Sequence, residues 1–153
     1  MVATEDGATI LYHDIVEQAP DALILVDADG LVRIWNARAA EIFGYTAQEV
    51  LGGPLDVIIP ESLRAAHWQG FRKAVDTGVT KYGGRVMTTR SMHKDGRKLY
   101  VDLSFSLLKD ATGKVLGALA IARDVTESYQ AARALKARVA ELEAKLQESG
   151  KAS

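Results

Sequence analysis

Cysteine is absent from all 153 residues. With it go disulfides, thiol nucleophiles, cysteine-based zinc sites and cysteinyl adducts of a flavin. Long apolar runs are missing too. Val115 to Ala122, interrupted by a glycine, is among the longest, well short of the roughly 20 residues a spanning helix needs. Neither sign of charge dominates, since 19 basic residues face 20 acidic ones. Nucleic acid and anionic membranes ask for a basic surface, so neither is an expected partner. The opening stretch MVATEDGATILYHD is acidic and has no basic segment before an apolar run. It does not read as a signal peptide, and a cytoplasmic location is the expectation. Gly83-Gly84 lacks the Lys-Ser/Thr of a phosphate loop, and no nucleophile–base pair stands out, so no enzyme activity is expected.

What is present suits one domain with flanking elements: 48% of residues are hydrophobic and 25% charged. Ile10, Leu11 and Ile15 stand at helical spacing, with Pro20 closing a short N-terminal helix. Two Val/Ile/Leu-rich runs flank Asp29-Gly30, which signals a hairpin with a tight primed turn. Asn36 can cap a helix that Gly44 ends. Thr46 and Glu49 fit a capping box, opening a second helix that stops at Gly52-Gly53. Pro60-Glu61 starts the longest internal helix, to about Thr77, with Gly78 past its end. From Lys81 onward three strand-like runs are separated by Asp95-Gly96 and by Asp110 to Gly113. Two strands, three helices and three strands close most simply as an α+β fold: a five-stranded antiparallel sheet with helices on one side.

The C-terminal segment is of another kind. Ala132, Leu135, Val139, Leu142 and Leu146 recur in steps of three and four among Lys, Arg, Glu and Gln, a heptad seam about three heptads long. A parallel homodimer is the reading favoured over folding back on the sheet, and the closing SGKAS reads as a frayed tail. The division expected is 1–19, 20–126 and 127–153: flanking helix, folded domain, and coiled-coil helix with tail.

From about His13 to Thr126 the motifs resemble the PAS family of sensory domains. APDALILVDADGLVRIWNARAAEIFGYTAQEVLG is similar to the family's opening block and HKDGRKLYVDLSFSLLKDATGKVLGALAIARDVTE to its closing block. Asp124-Val125-Thr126 matches the Asp-x-Thr element joining the last strand to a signalling helix. Short polar side chains at that junction suit capping of the helix that follows. The resemblance implies a PAS fold and signal sensing, with output through the coiled coil to an effector outside these 153 residues.

One histidine sharpens the expectation. On the helix from Glu61 to Thr77, Leu63, Ala66, His67, Gly70 and Phe71 share the face that points to the core. IIPESLRAAH resembles the stretch of haem-binding PAS domains, with Pro60, Arg64 and His67 in matching positions. That implies haem b, with His67 as proximal iron ligand, and a diatomic gas as its ligand. Where such sensors typically carry an arginine on the next strand, this chain has Met87, with Arg85 two residues earlier. Either is a distal candidate, Met87 as a thioether ligand and Arg85 as a hydrogen-bond donor, since alternation places both on one face. An aromatic residue common three places after the histidine is replaced by Gly70. Leu63 and Phe71 from the helix, and Leu103, Phe105, Leu119 and Ile121 from the last strands, would supply apolar walls. The bland alternative has His67 hydrogen-bonded within a packed core. The domain is then an interaction module, or binds a small apolar metabolite and no haem.

Overall fold

A computed structural model describes residues 5–152. Residues 1–4 of the flanking segment and Ser153 lie outside the described residues. Helix α1 (Glu5–Glu17) leads into β1 (Ala22–Asp27) and β2 (Val32–Trp35). Helices α2 (Ala37–Phe43), α3 (Ala47–Val50) and α4 (Glu61–Thr77) follow, with a 3-10 turn at Leu55–Ile58 that the sequence did not announce. Then come β3 (Met87–Met92), β4 (Lys98–Lys109), β5 (Val115–Asp124) and α5 (Thr126–Lys151). The strands form one antiparallel sheet in the order β2-β1-β5-β4-β3. Among the described residues, no helix is long and apolar enough to cross a membrane.

The helix boundaries fall where the caps put them. Asn36 accepts from the Ala39 amide and opens α2, which Gly44 ends at a φ of +80°. Thr46 and Glu49 form the reciprocal capping box of α3. Gly78, at φ +68°, closes α4 by donating its N–H to Ala74. The tail departs from expectation, because α5 carries on through Lys151 instead of fraying at Ser149.

The hairpin at Asp29-Gly30 is not a two-residue primed turn. Both primed types need positive φ at the first central residue, and Asp29 does not supply it; Gly30 does, at +84°. Three turns share the arrangement used instead. Asp27, His93 and Asp110 each donate a backbone N–H four residues on, to Leu31, Arg97 and Lys114. Each also takes the N–H of the glycine three residues on, and each accepts through its side chain the N–H two residues on. Thr112's hydroxyl and amide hold the Asp110 carboxyl below its ordinary range.

Strand pairing fixes which face of the sheet carries the helices. Ala22, Ile24 and Val26 of β1 are buried and lie opposite Ala122, Ala120 and Ala118 of β5. On β4 the same face presents Val101, Leu103 and Phe105, and on β3 Met87 and Thr89. The core closes over this face with Trp35, Ile42, Phe43, Val50 and Ile58. Leu119 and Ile121 were expected to face inward and do not. They pair with Leu25 and Leu23 on the open face, where Ile121 is 39% exposed. Both alternating sets of β5 are apolar, so the two-residue period alone cannot say which points in.

At the strand-to-helix junction the capping differs from a simple N-cap. Val125 holds the cap position without a side-chain bond. Asp124 Oδ1 accepts the Thr126 N–H, and the Thr126 hydroxyl, which donates to Asp124, accepts the Tyr100 N–H of β4. Tyr129, one turn into α5, stacks on Tyr100 with centroids 3.9 Å apart and planes 17° from parallel. Beyond that turn α5 stands clear of the sheet, with Leu135, Val139, Leu142 and Leu146 exposed.

Candidate functional site

Pro60 fixes the start of α4, and the Arg64 side chain returns to donate to the Ile59 carbonyl at 3.0 Å. Ser91 of β3 donates to Ile58 at 2.6 Å in a buried position, so the approach to α4 is tied to the sheet on both sides. Trp68 supplies the other anchor. Its indole N–H donates to Asp56 at 2.6 Å, and its ring lies against Gly30, where a Cβ would come within 2.7 Å of it. Phe71 meets the same indole edge-on, at 5.4 Å between centroids.

Although so anchored, α4 contributes no fully buried residue. Leu63 and Phe71 are half-buried and touch the core cluster, while Ala66 and Gly70 are exposed. Gly70 therefore makes no close approach to a strand, since a Cβ there meets nothing within 4 Å. The middle of β5 presents small side chains on this side of the sheet, the alanines 118, 120 and 122.

His67 lies on the inner side of α4, half-buried, with its ring edge-on to Trp68 at 4.6 Å. Its Nδ1 is buried and has no hydrogen-bond partner. Leaving a buried ring nitrogen unpaired costs about 1–3 kcal/mol. The hydrogen-bonded core histidine of the bland alternative is not what stands here. Burial pushes the imidazole below its ordinary pKa of 6.5, and the Asp56 carboxylate offsets part of that. The ring is held neutral, the form that can ligate a metal. Among the described residues, no three His, Cys, Asp or Glu side chains stand together to hold a bare metal ion.

That depressed pKa has a measurable consequence in the ligand-free protein. On acidification through 6.5 the unfolded chain takes up a proton that folded His67 still refuses, so stability is lost as pH falls towards the lower folded value. The urea midpoint is expected to drop between about pH 7 and pH 5 more steeply in the parent than in a His67→Leu variant. Equal slopes would assign the pH dependence to other groups.

The remaining candidates divide by position. Met87 begins β3 on the helix-bearing face, paired with Leu103, and Phe105 follows two residues later on β4. Arg85 precedes the strand, so alternation does not reach it. It is exposed, and its guanidinium donates to the Lys81 carbonyl at 3.2 Å. Leu63 shares the helix face of His67, and Met87, Leu103 and Phe105 share the helix-bearing face of the sheet, while Arg85, Leu119 and Ile121 do not. Sequence reasoning missed the Trp68–Asp56 tie and the Tyr100–Tyr129 stack. Neither left a local signal, since each pair is brought together by the fold.

A family profile described as the PAS fold matches residues 16–130. The chain belongs to the PAS family. This PAS domain, a sensory module, is 29% identical over 122 residues to the oxygen sensor protein DosP of Escherichia coli, covering 80% of this chain and 15% of that protein. It is 27% identical over 142 residues to the sensor protein FixL of Bradyrhizobium diazoefficiens, covering 88% of this chain and 25% of FixL. The chain therefore spans a quarter or less of either relative. Among solved structures, a PAS domain from Colwellia psychrerythraea superposes with a TM-score of 0.67 at 21% identity, covering 78% of this chain and 98% of that one. An RNA-binding light-oxygen-voltage receptor superposes at 0.70 with 19% identity, covering 91% and 39%. Both likenesses speak to the fold.

Proposed function

We propose that this PAS domain is a haem-binding sensor of a diatomic gas or redox state, acting in the cytoplasm, with His67 as the proximal ligand. The observation that carries the reading is the neutral His67 imidazole, whose buried Nδ1 has no protein partner. One imidazole would be the protein's ligand to a haem iron, the porphyrin nitrogens supplying the rest. Bound haem would supply an iron centre open to a small gas or to one-electron chemistry. The chain's own residues do the rest. Leu63, Phe71, Leu103 and Phe105 provide apolar contact and exclude water, and Met87 is the distal candidate on the correct face. No residue of α4 is fully buried, and β5 presents the small alanines 118, 120 and 122 to this side of the sheet. The name of the 29%-identical oxygen sensor supports the same reading.

Output would run through α5. Its seam of Ala132, Leu135, Val139, Leu142 and Leu146 suits a parallel pairing with a second copy, and Ile10, Leu11 and Ile15 of α1 are exposed as well. The effector would be a domain or protein outside this chain. A second reading rests on those same exposed stripes together with the apolar open face of the sheet, Leu23, Leu25, Leu119 and Ile121. There the domain assembles partners with its core filled by side chains or a small apolar metabolite.

Absorption spectroscopy separates the two. With added hemin, a stoichiometric Soret band that shifts with dithionite and CO is the expected result, and it should be lost in a folded His67→Ala variant. A parent protein that remains spectrally silent, yet sediments as a dimer, would overturn the haem reading and leave the interaction module.

A further inference from the structure

The two edges of the sheet are treated differently. Along β2, Val32 exchanges backbone bonds with Gly52 and Gly53, and Leu31 bridges to Pro54, so that edge is covered. On the other side β3 pairs with β4 alone, and among the described residues no other backbone bond reaches Met87–Met92. Every second residue of such a strand turns its N–H and C=O outward. The end near Ser91 is held by Ile58, which leaves Met87 to Arg90 open.

A groove of about 290 Å³ runs beside this stretch, lined by Leu63, Thr88, Thr89, Arg90, Tyr100 and Tyr129. Its walls come from both faces of the sheet. Leu63 and Thr89 belong to the helix-bearing side; Thr88, Arg90, Tyr100 and Tyr129 belong to the open side. A compact ligand lies on one face of a sheet, whereas an added strand sends alternate side chains to both.

Charge narrows the occupant. Between Asp76 and Asp95 the sequence holds no acidic residue, while Lys81, Arg85 and Arg90 are exposed. Among the described residues, none of the three cations is in an ion pair with a carboxylate; Arg85 donates to a carbonyl and Lys81 lies over a tyrosine ring. Asp102, the acidic residue on the neighbouring strand, accepts from the Thr88 hydroxyl and faces Arg123. A second copy of β3 would bring like charge against like and is disfavoured.

We propose that the open edge of β3 takes up an extended acidic peptide segment of a partner protein as a sixth strand. Backbone bonds to Met87–Arg90 hold it, its carboxylates meet Arg90, Arg85 and Lys81, and one apolar side chain falls beside Leu63. Such a strand also touches Tyr129 in the first turn of α5, which places docking next to the domain's output helix.

The test uses the whole chain and three fluorescein-labelled synthetic peptides. One is an alternating Glu/Val/Thr strand former, the second carries Lys for Glu, and the third is the acidic peptide interrupted by proline. Anisotropy is expected to show the first bound at least about tenfold more tightly than the others. It should slow amide exchange at Thr88 to Arg90, and folded Arg90→Glu and Arg85→Glu variants should each weaken it about fivefold. Three results would overturn the proposal: no binding, equal binding of the proline-interrupted peptide, or equal competition by a single-stranded RNA of matching charge. The last two would mark a diffuse anion-attracting surface.

Discussion

Gly117→Ala should be the most damaging single methyl group that can be added to this protein, costing about 3 kcal/mol or more. Gly117 is buried where β5 lies between β1 and β4, paired with Asp27 on one side and Leu108 on the other. A Cβ there would stand 2.1 Å from the Val26 carbonyl oxygen and 3.1 Å from the Asp27 Cα. Both obstacles are backbone, so no side chain can swing aside, and relief requires β1 and β5 to part. Chemical denaturation measures it: a variant with an unchanged midpoint would show that the two strands yield at little cost. Gly70→Ala, where a Cβ meets nothing, is the matched control. It should be neutral or stabilising by up to about 1 kcal/mol, as expected of alanine for glycine within a helix.

Removing the amide of Asn36 should come next. The residue is 1% exposed and makes four hydrogen bonds. Oδ1 accepts from the Leu23 and Ala39 amides; Nδ2 donates to the Val16 and Asp21 carbonyls. One side chain thus joins the end of α1, the start of β1 and the first turn of α2. Asn36→Ala orphans two buried amides besides deleting a cap, and a loss of about 2–4 kcal/mol is expected from the urea midpoint. Asn36→Asp keeps both acceptor bonds and loses the donors, so it should retain the α2 cap while releasing α1. Proteolysis within residues 5–17 would then accelerate. Unchanged protection of α1 in that variant would mean the helix is held by something other than the Val16 carbonyl.

These two residues also show what the sequence disclosed. Asn36 was visible as a cap because capping is local chemistry, confined to three or four neighbours in the chain. The same holds for Thr46 with Glu49, and for Gly44 and Gly78. The bonds from Asn36 to Val16 and Asp21 were not visible, since they depend on where α1 comes to rest. Gly117 drew notice only as a break in an apolar run; its reason lies on another strand. The facing of Leu119 and Ile121 failed on similar grounds, because the run Ala118-Leu119-Ala120-Ile121-Ala122 is apolar on both sides. The inner set is chosen by pairing with Ala22, Ile24 and Val26. At the candidate site, helical periodicity put His67 on the inner side of α4, and so it stands. That its Nδ1 would be left unpaired required the surrounding atoms. Arg85 was misplaced because two-residue alternation was carried past the start of the strand, into a turn that does not obey it.

The last helix has a mechanical meaning. Its 26 residues rise about 39 Å at 1.5 Å each, and among the described residues it is tied to the sheet at its first turn, by the Val125 and Thr126 bonds and the Tyr129 ring. A rod clamped at one end converts angle into distance: each degree of tilt at Thr126 carries the far end about 0.7 Å sideways. Shifts in β4 or β5 too small to disturb the core would therefore be magnified at Lys151 into displacements the size of a side chain.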